Sequence, residues 1–124
     1  MSVVLKITRP GDALPEVKVA KVVLPAAQGN LTVLNERAPT SLLLKNGQIQ
    51  ALDDNNNIVK RFFVYGGVAD VAQDVCQVFA EKVHAYDDMT LALAQENLAK
   101  AETPEVKDFY QLIIAELKIG QKVK

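Results

Sequence analysis

The chain has 124 residues and a mass of 13.5 kDa, room for one domain of ordinary size with a small appendage. Forty-nine per cent of it is hydrophobic, which supports a packed core and excludes a disordered chain. Fourteen Lys and Arg against fifteen Asp and Glu leave a net charge of −1, without the basic excess of a nucleic-acid binder.

A single cysteine, Cys76, excludes a disulfide framework and multi-cysteine zinc sites. A single histidine, His84, excludes sites needing two imidazoles. Apolar runs such as Val22 to Ala27 fall far short of the ~20 residues of a membrane-spanning helix. The start, Met-Ser-Val-Val-Leu-Lys, lacks the basic-then-apolar pattern of a secretory signal. A reducing cytoplasm is therefore expected, with membrane association only through a partner.

The chain changes character near Asp87: Val, Ile and Leu in short runs precede it, and Ala, Leu, Glu and Lys follow. Val3 to Thr8 alternates like a strand, closed by the turn Arg9-Pro10-Gly11-Asp12. Val17 to Leu24 reads as a second strand ended by Pro25, its inward set shifting from Val17 and Val19 to Val22 and Leu24 as across a β-bulge. Leu31 to Leu34 and Leu42 to Leu44 are short strands flanking an Asn-Glu-Arg-Ala-Pro loop. Gly47 to Leu52 and Ile58 to Tyr65 form a hairpin about Asp53-Asp54-Asn55-Asn56-Asn57. Gly66-Gly67 interrupts, Val68 to Val71 resumes, and Gln73-Asp74 turns into Val75 to Val83. Turn signals every ~8 to 12 residues are the rhythm of an antiparallel sandwich.

Two helices are expected next. The first runs from about Asp88 to Ala101, capped by Asp87 or Asp88, with Leu91, Ala94, Leu98 and Ala101 as its stripe. The second has Thr103 at the cap, Pro104 at the first position, Glu105 in the first turn and Gly120 past the end. Val106, Phe109, Tyr110, Ile113 and Leu117 line one face, read as the seam of an antiparallel helical hairpin. The expected domains are residues 1–86, a β-sandwich, and 87–124, an α-helical hairpin.

Catalytic chemistry is sparse. Cys76 and His84, on one strand, stand ~26 Å apart and cannot pair. Asp53-Asp54 lacks the spacing, glycine and distal Glu of a calcium loop and reads as a solvated turn. Gly66-Gly67 lacks the Lys-Ser/Thr of a phosphate loop. No catalytic residue, metal or cofactor is expected, and binding is the function that remains.

Several motifs in order are specific. Gly29-Asn30-Leu31-Thr32-Val33-Leu34-Asn35-Glu36-Arg37-Ala38-Pro39, preceded by Val19, Val22, Leu24 and Pro25, resembles the epsilon subunit family of the bacterial F-type ATP synthase, called delta in mitochondria. Arg37 stands where that family often has His. Leu44-Lys45-Asn46-Gly47 and Tyr65-Gly66-Gly67-Val68-Ala69-Asp70-Val71 match two further elements, and the likeness covers about residues 3–102.

The resemblance implies a ten-stranded β-sandwich and two helices in a non-catalytic central-stalk subunit. That subunit couples rotation of the c-ring to gamma and the catalytic head, transiently touches alpha and beta, and lies on the cytoplasmic face of the bacterial inner membrane. It implies a structural role for Gly29, Leu31, Val33, Ala38, Pro39, Gly66 and Gly67, and a ring-facing loop carrying Asn30, Asn35, Glu36 and Arg37. Charges such as Glu36 and Arg37 would set register more than affinity. Some family members bind ATP through an Ile/Leu-Asp-x-x-Arg-Ala motif. Here Tyr86-Asp87-Asp88-Met89-Thr90-Leu91-Ala92 lacks the Arg, and no Arg follows Arg61, so no tight ATP site is expected. The second helix is poor in cations, with Lys107 and Lys118 before Gly120, so removal of the residues after Asp87 is expected to leave ATP hydrolysis nearly unchanged. The competing readings are a free-standing sandwich used as an adaptor and a small enzyme built on His84 or Cys76.

Overall fold

The computed structural model describes residues 2–34 and 37–122. Eleven strands form two sheets among these residues. They are β1 (Val3–Arg9), β2 (Asp12–Ala13), β3 (Val17–Val19), β4 (Lys21–Ala26), β5 (Gly29–Val33) and β6 (Arg37–Leu43), followed by β7 (Gly47–Leu52), β8 (Ile58–Tyr65), β9 (Val68–Gln73), β10 (Val75–Phe79) and β11 (Lys82–Ala85). One sheet has the order β2-β1-β10-β9-β6, with β3 sharing the β1 edge with β2. The other has the order β11-β8-β7-β4-β5. The pairing of β1 with β10 is parallel; the other named pairings are antiparallel. Helices α1 (Leu91–Lys100) and α2 (Pro104–Lys122) follow a 3-10 turn at Tyr86–Asp88.

Alternation on each strand aims one set of side chains between the sheets. Val3, Leu5 and Ile7 of β1 meet Val22 and Leu24 of β4, Val33 of β5, Ile49 of β7 and Val64 of β8 in one continuous core. Cys76 lies in that core, where burial pushes its thiol up to about 12.

The two long strand expectations, Val17–Leu24 and Val75–Val83, each prove to be two strands in different sheets. The inward set jumps by three at Val19–Val22 because the chain crosses between sheets at Ala20, whose N–H bonds Leu52 O at 3.0 Å; no bulge is involved. Val19 and Val22 then face the same interior from opposite sides. Val75–Val83 divides likewise at Ala80–Glu81, so Cys76 and His84 sit in different sheets. Pro25 lies inside β4, buried, opposite Asn30, rather than ending the strand. Arg37, Ala38 and Pro39 belong to β6 rather than to a loop. Gly66 and Gly67, at φ +59° and +124°, carry the chain from β8 across to β9 through backbone that favours glycine.

The helix boundaries also differ. Asp87 and Asp88 lie in the 3-10 turn, and Thr90 caps α1 by accepting a bond from Leu93 N at 3.1 Å. Thr103 caps α2, accepting from Val106 N at 3.3 Å, and α2 runs on through Gly120 to Lys122. The face read as the seam between helices has a second role, since it seats the hairpin on the outer surface of the β11-β8 side of the sandwich.

Candidate docking surface

Pairing in register turns outward alternation into rows across a sheet. On the outer face of the first sheet, Thr8, Phe79, Val68 and Leu43 lie side by side on β1, β10, β9 and β6. Phe79 is 47% exposed, Val68 37% and Leu43 69%. Three apolar side chains on three adjacent strands thus form one uncovered row. A hollow of about 380 Å³ lined by Thr8, Arg9, Pro10, Phe79, Ala80 and Glu81 adjoins it. The next row, Lys6, Gln77, Asp70 and Ser41, is polar, with Ser41 Oγ donating to Asp70 at 2.6 Å. The surface is therefore an apolar row beside a hydrogen-bonding one, the anatomy of a protein–protein contact and not of a reaction centre.

The motif residues fall into separate places. Gly29, at φ +132°, opens β5 after the turn from β4. Leu31 is half-buried, Val33 is fully buried and Pro39 is exposed on β6. Asn30 is exposed at the start of β5 and lines a polar groove with Lys45, Gln48, Gln50 and Glu116. Asn35 and Glu36 lie outside the described residues, as do the side chains of Arg37 and Ala38. Of the stretch from Asn30 to Arg37, the residues from Asn30 to Val33 lie in β5 and Arg37 begins β6. Asn30 near the start of β5 and Val33 at its end are about 10 Å apart at the usual strand rise.

The seat of the hairpin is aromatic. Phe63, Tyr65, His84 and Tyr86 present outward from β8, β11 and the 3-10 turn, while their neighbours Phe62 and Val83 point into the core. Phe109 of α2 lies 5.6 Å from Tyr65 and 6.1 Å from His84, ring to ring, and Ala94, Ile113 and Leu117 complete the cluster. His84 Nε2 is 3.1 Å from Tyr110 Oη. Burial first, then Arg9 and Lys82, holds the His84 imidazole below its usual pKa, and burial raises that of the Tyr110 phenol. Arg9 ties the two sheets at this end, donating to Val83 O at 2.8 Å and pairing with Asp12 at 2.7 Å.

Sequence reasoning passed over both surfaces. A strand-period signal for each was present: Val68 and Phe79 fall opposite the inward parity of Ala69 and Val78, and His84 opposite that of Val83. Their assembly into a row or a seat depends on which strands are neighbours. Among the described residues no cluster of His, Cys, Asp and Glu could hold a metal ion, and no helix is long and apolar enough to cross a membrane.

Residues 2–85 match the profile of the β-sandwich domain of the ATP synthase delta/epsilon chain. The ATP synthase epsilon chain of Gluconacetobacter diazotrophicus is 30% identical over 102 residues, covering 82% of this chain and 72% of its own. That of Granulibacter bethesdensis is 36% identical over 98 residues, covering 79% and 72%. A chain of the Euglena gracilis mitochondrial ATP synthase, in its OSCP/F1/c-ring assembly, superposes with a TM-score of 0.65 at 17% identity, over 97% of this chain and 81% of that one. One from the central stalk and c-ring of the Tetrahymena thermophila enzyme gives 0.60 at 13% identity, over 94% and 97%. The sandwich with its trailing helical pair and the sequence likeness along it lead to one assignment: the chain belongs to the delta/epsilon family of ATP synthase subunits.

Proposed function

We propose that the sandwich grips the gamma subunit through the Leu43, Val68 and Phe79 row and passes torque from the c-ring to gamma. The observation that carries this reading is the row itself. Three large apolar side chains are held in register on a rigid sheet, and among the described residues none covers them. A two-sheet block with one shared core transmits load without internal slippage, because close-packed interiors deform little.

The c-ring meets the edge formed by β5, the last strand of its sheet. In this reading Asn30, Asn35, Glu36 and Arg37 supply the polar contacts to the ring and set register rather than affinity. Gly29, Leu31, Val33, Ala38, Pro39, Gly66 and Gly67 shape the fold that presents them. Residues 87–124 act as a separable hairpin that touches alpha and beta transiently when it leaves its seat. The subunit works on the cytoplasmic face of the bacterial inner membrane and reaches the bilayer only through the complex.

The test is binding of purified gamma to the full chain carrying Leu43→Asp. The side chain is mostly exposed, so the fold is unaffected, while a charge placed in a dry contact costs at least tenfold in affinity, about 1.4 kcal/mol. Leu93→Asp on α1, 39% exposed and away from the row, is the control. Equal affinity of Leu43→Asp and the parent chain for gamma would remove the row from the interface.

A further inference from the structure

The chain's single histidine stands where the hairpin meets the sandwich. His84 faces outward from β11, beside Phe63 of β8. The Phe109 ring lies over it at an interplanar angle of 24°, and Tyr110 Oη lies within hydrogen-bond distance of Nε2. From α2 the imidazole thus meets an aromatic ring and a phenol.

The charged groups acting on the imidazole are Arg9 from β1 and Lys82 from β11, both cations. From β8 it meets Phe63, and from α2 Phe109 and Tyr110. The neighbouring Lys107 and Asp108 of α2 are exposed. Glu81, Lys100 and Glu102 line the cleft between the β10–β11 connection and the turn of the hairpin, with Tyr110 in its wall. A positive charge on this ring would be desolvated beneath α2 and repelled by two cations.

The seat is also separable from the core. Phe63 and the hairpin residues form one cluster, and Phe62, Val64 and Val83 belong to another between the sheets. Lifting the hairpin leaves the second cluster closed.

We propose that His84 is a proton-operated latch: the neutral imidazole holds the hairpin on the sandwich, and its protonation releases it. The latch deepens the reading of residues 87–124 as a separable hairpin and rests on it. The docked state holds the imidazole pKa below that of the released state. Docking is therefore at full strength above the released-state value, ~6.5, and weakens as pH falls through the interval down to the docked value. Each unit of that interval changes the docked-to-released ratio about tenfold.

The test is amide hydrogen exchange of the full chain between pH 8 and pH 5.5, corrected for the intrinsic pH dependence of exchange. In the parent chain, protection of α2 falls several-fold toward pH 5.5 while that of β1, β9 and β10 holds. His84→Phe, which keeps a ring, and His84→Gln, which keeps a partner for Tyr110, both show a flat α2 profile. A flat profile in the parent chain, or an equal fall in both variants, overturns the latch alone. Loss of α2 protection only together with the strands overturns the latch and also the separable hairpin on which it rests.

Discussion

Phe109→Ala tests whether the hairpin and the sandwich are two cooperative units. Phe109 is fully buried and sits at the centre of the seat, 5.6 Å from Tyr65, 6.1 Å from His84 and 5.1 Å from Tyr110 between ring centroids. Truncating a buried phenylalanine costs about 3–5 kcal/mol. That loss falls on the hairpin and its seat and not on the sandwich, because Phe109 makes no part of the core between the sheets. The docked-to-released ratio should drop by roughly 10²-fold to 10³-fold or more at ~1.4 kcal/mol per tenfold. A released pair of 10 and 19 residues is near the length limit for a helix standing alone in water, so it frays. The assay is amide exchange resolved by segment, with far-UV circular dichroism for helix content. Protection of α2 should fall by about the stated factor and helicity should decline, while β1, β9 and β10 exchange as before. Parallel loss of protection in those strands would refute the separation of the two clusters.

Three further outcomes follow from the same structure. Gly67→Ala should lower the melting temperature by about 10 °C or more, since the variant combines strain at φ +124° with overlap on the Phe79 carbonyl, together about 2–5 kcal/mol; thermal unfolding reads it, and an unchanged midpoint refutes it. Native Cys76 should resist iodoacetamide at pH 8 and react fully in denaturant, because its thiol is buried and raised to about 12; rapid labelling of the native protein contradicts this. The Asp53 carboxylate accepts bonds from Asn57 N at 2.9 Å and Asn55 N at 2.8 Å, which hold its pKa below the usual value. Its contribution is therefore present above that usual value, ~3.9, and lost as pH falls below it, so Asp53→Asn should flatten part of the acid-side decline in the urea midpoint. Identical declines in parent and variant would refute that assignment.

The turns and single elements were legible in the sequence because their causes are local. The Asp53–Asn57 turn is built from an aspartate bonding its own following backbone, and β7 runs from Gly47 to Leu52 as the alternation indicates. Thr103 and Pro104 open α2 where capping chemistry requires. Asp87 and Asp88 misled, since both carry capping chemistry, and only the backbone path at Thr90 selects the cap in use.

Sheet membership was not legible. A three-residue jump in the inward set is produced equally by a bulge and by a crossing between sheets, and Val19 to Val22 is a crossing. The same ambiguity joined Cys76 and His84 on one supposed strand and hid the outward role of His84.

By itself, then, the sequence determined a sandwich with a helical pair and the family, because alternation, turn residues and motif order are properties of neighbours along the chain. Tertiary structure alone decided that Leu43, Val68 and Phe79 make one row, that β1 pairs with β10 in parallel, and that the hairpin lies on His84. Those facts depend on which strands lie side by side. That choice follows from closing one shared core between two sheets, and nothing in a local pattern records it.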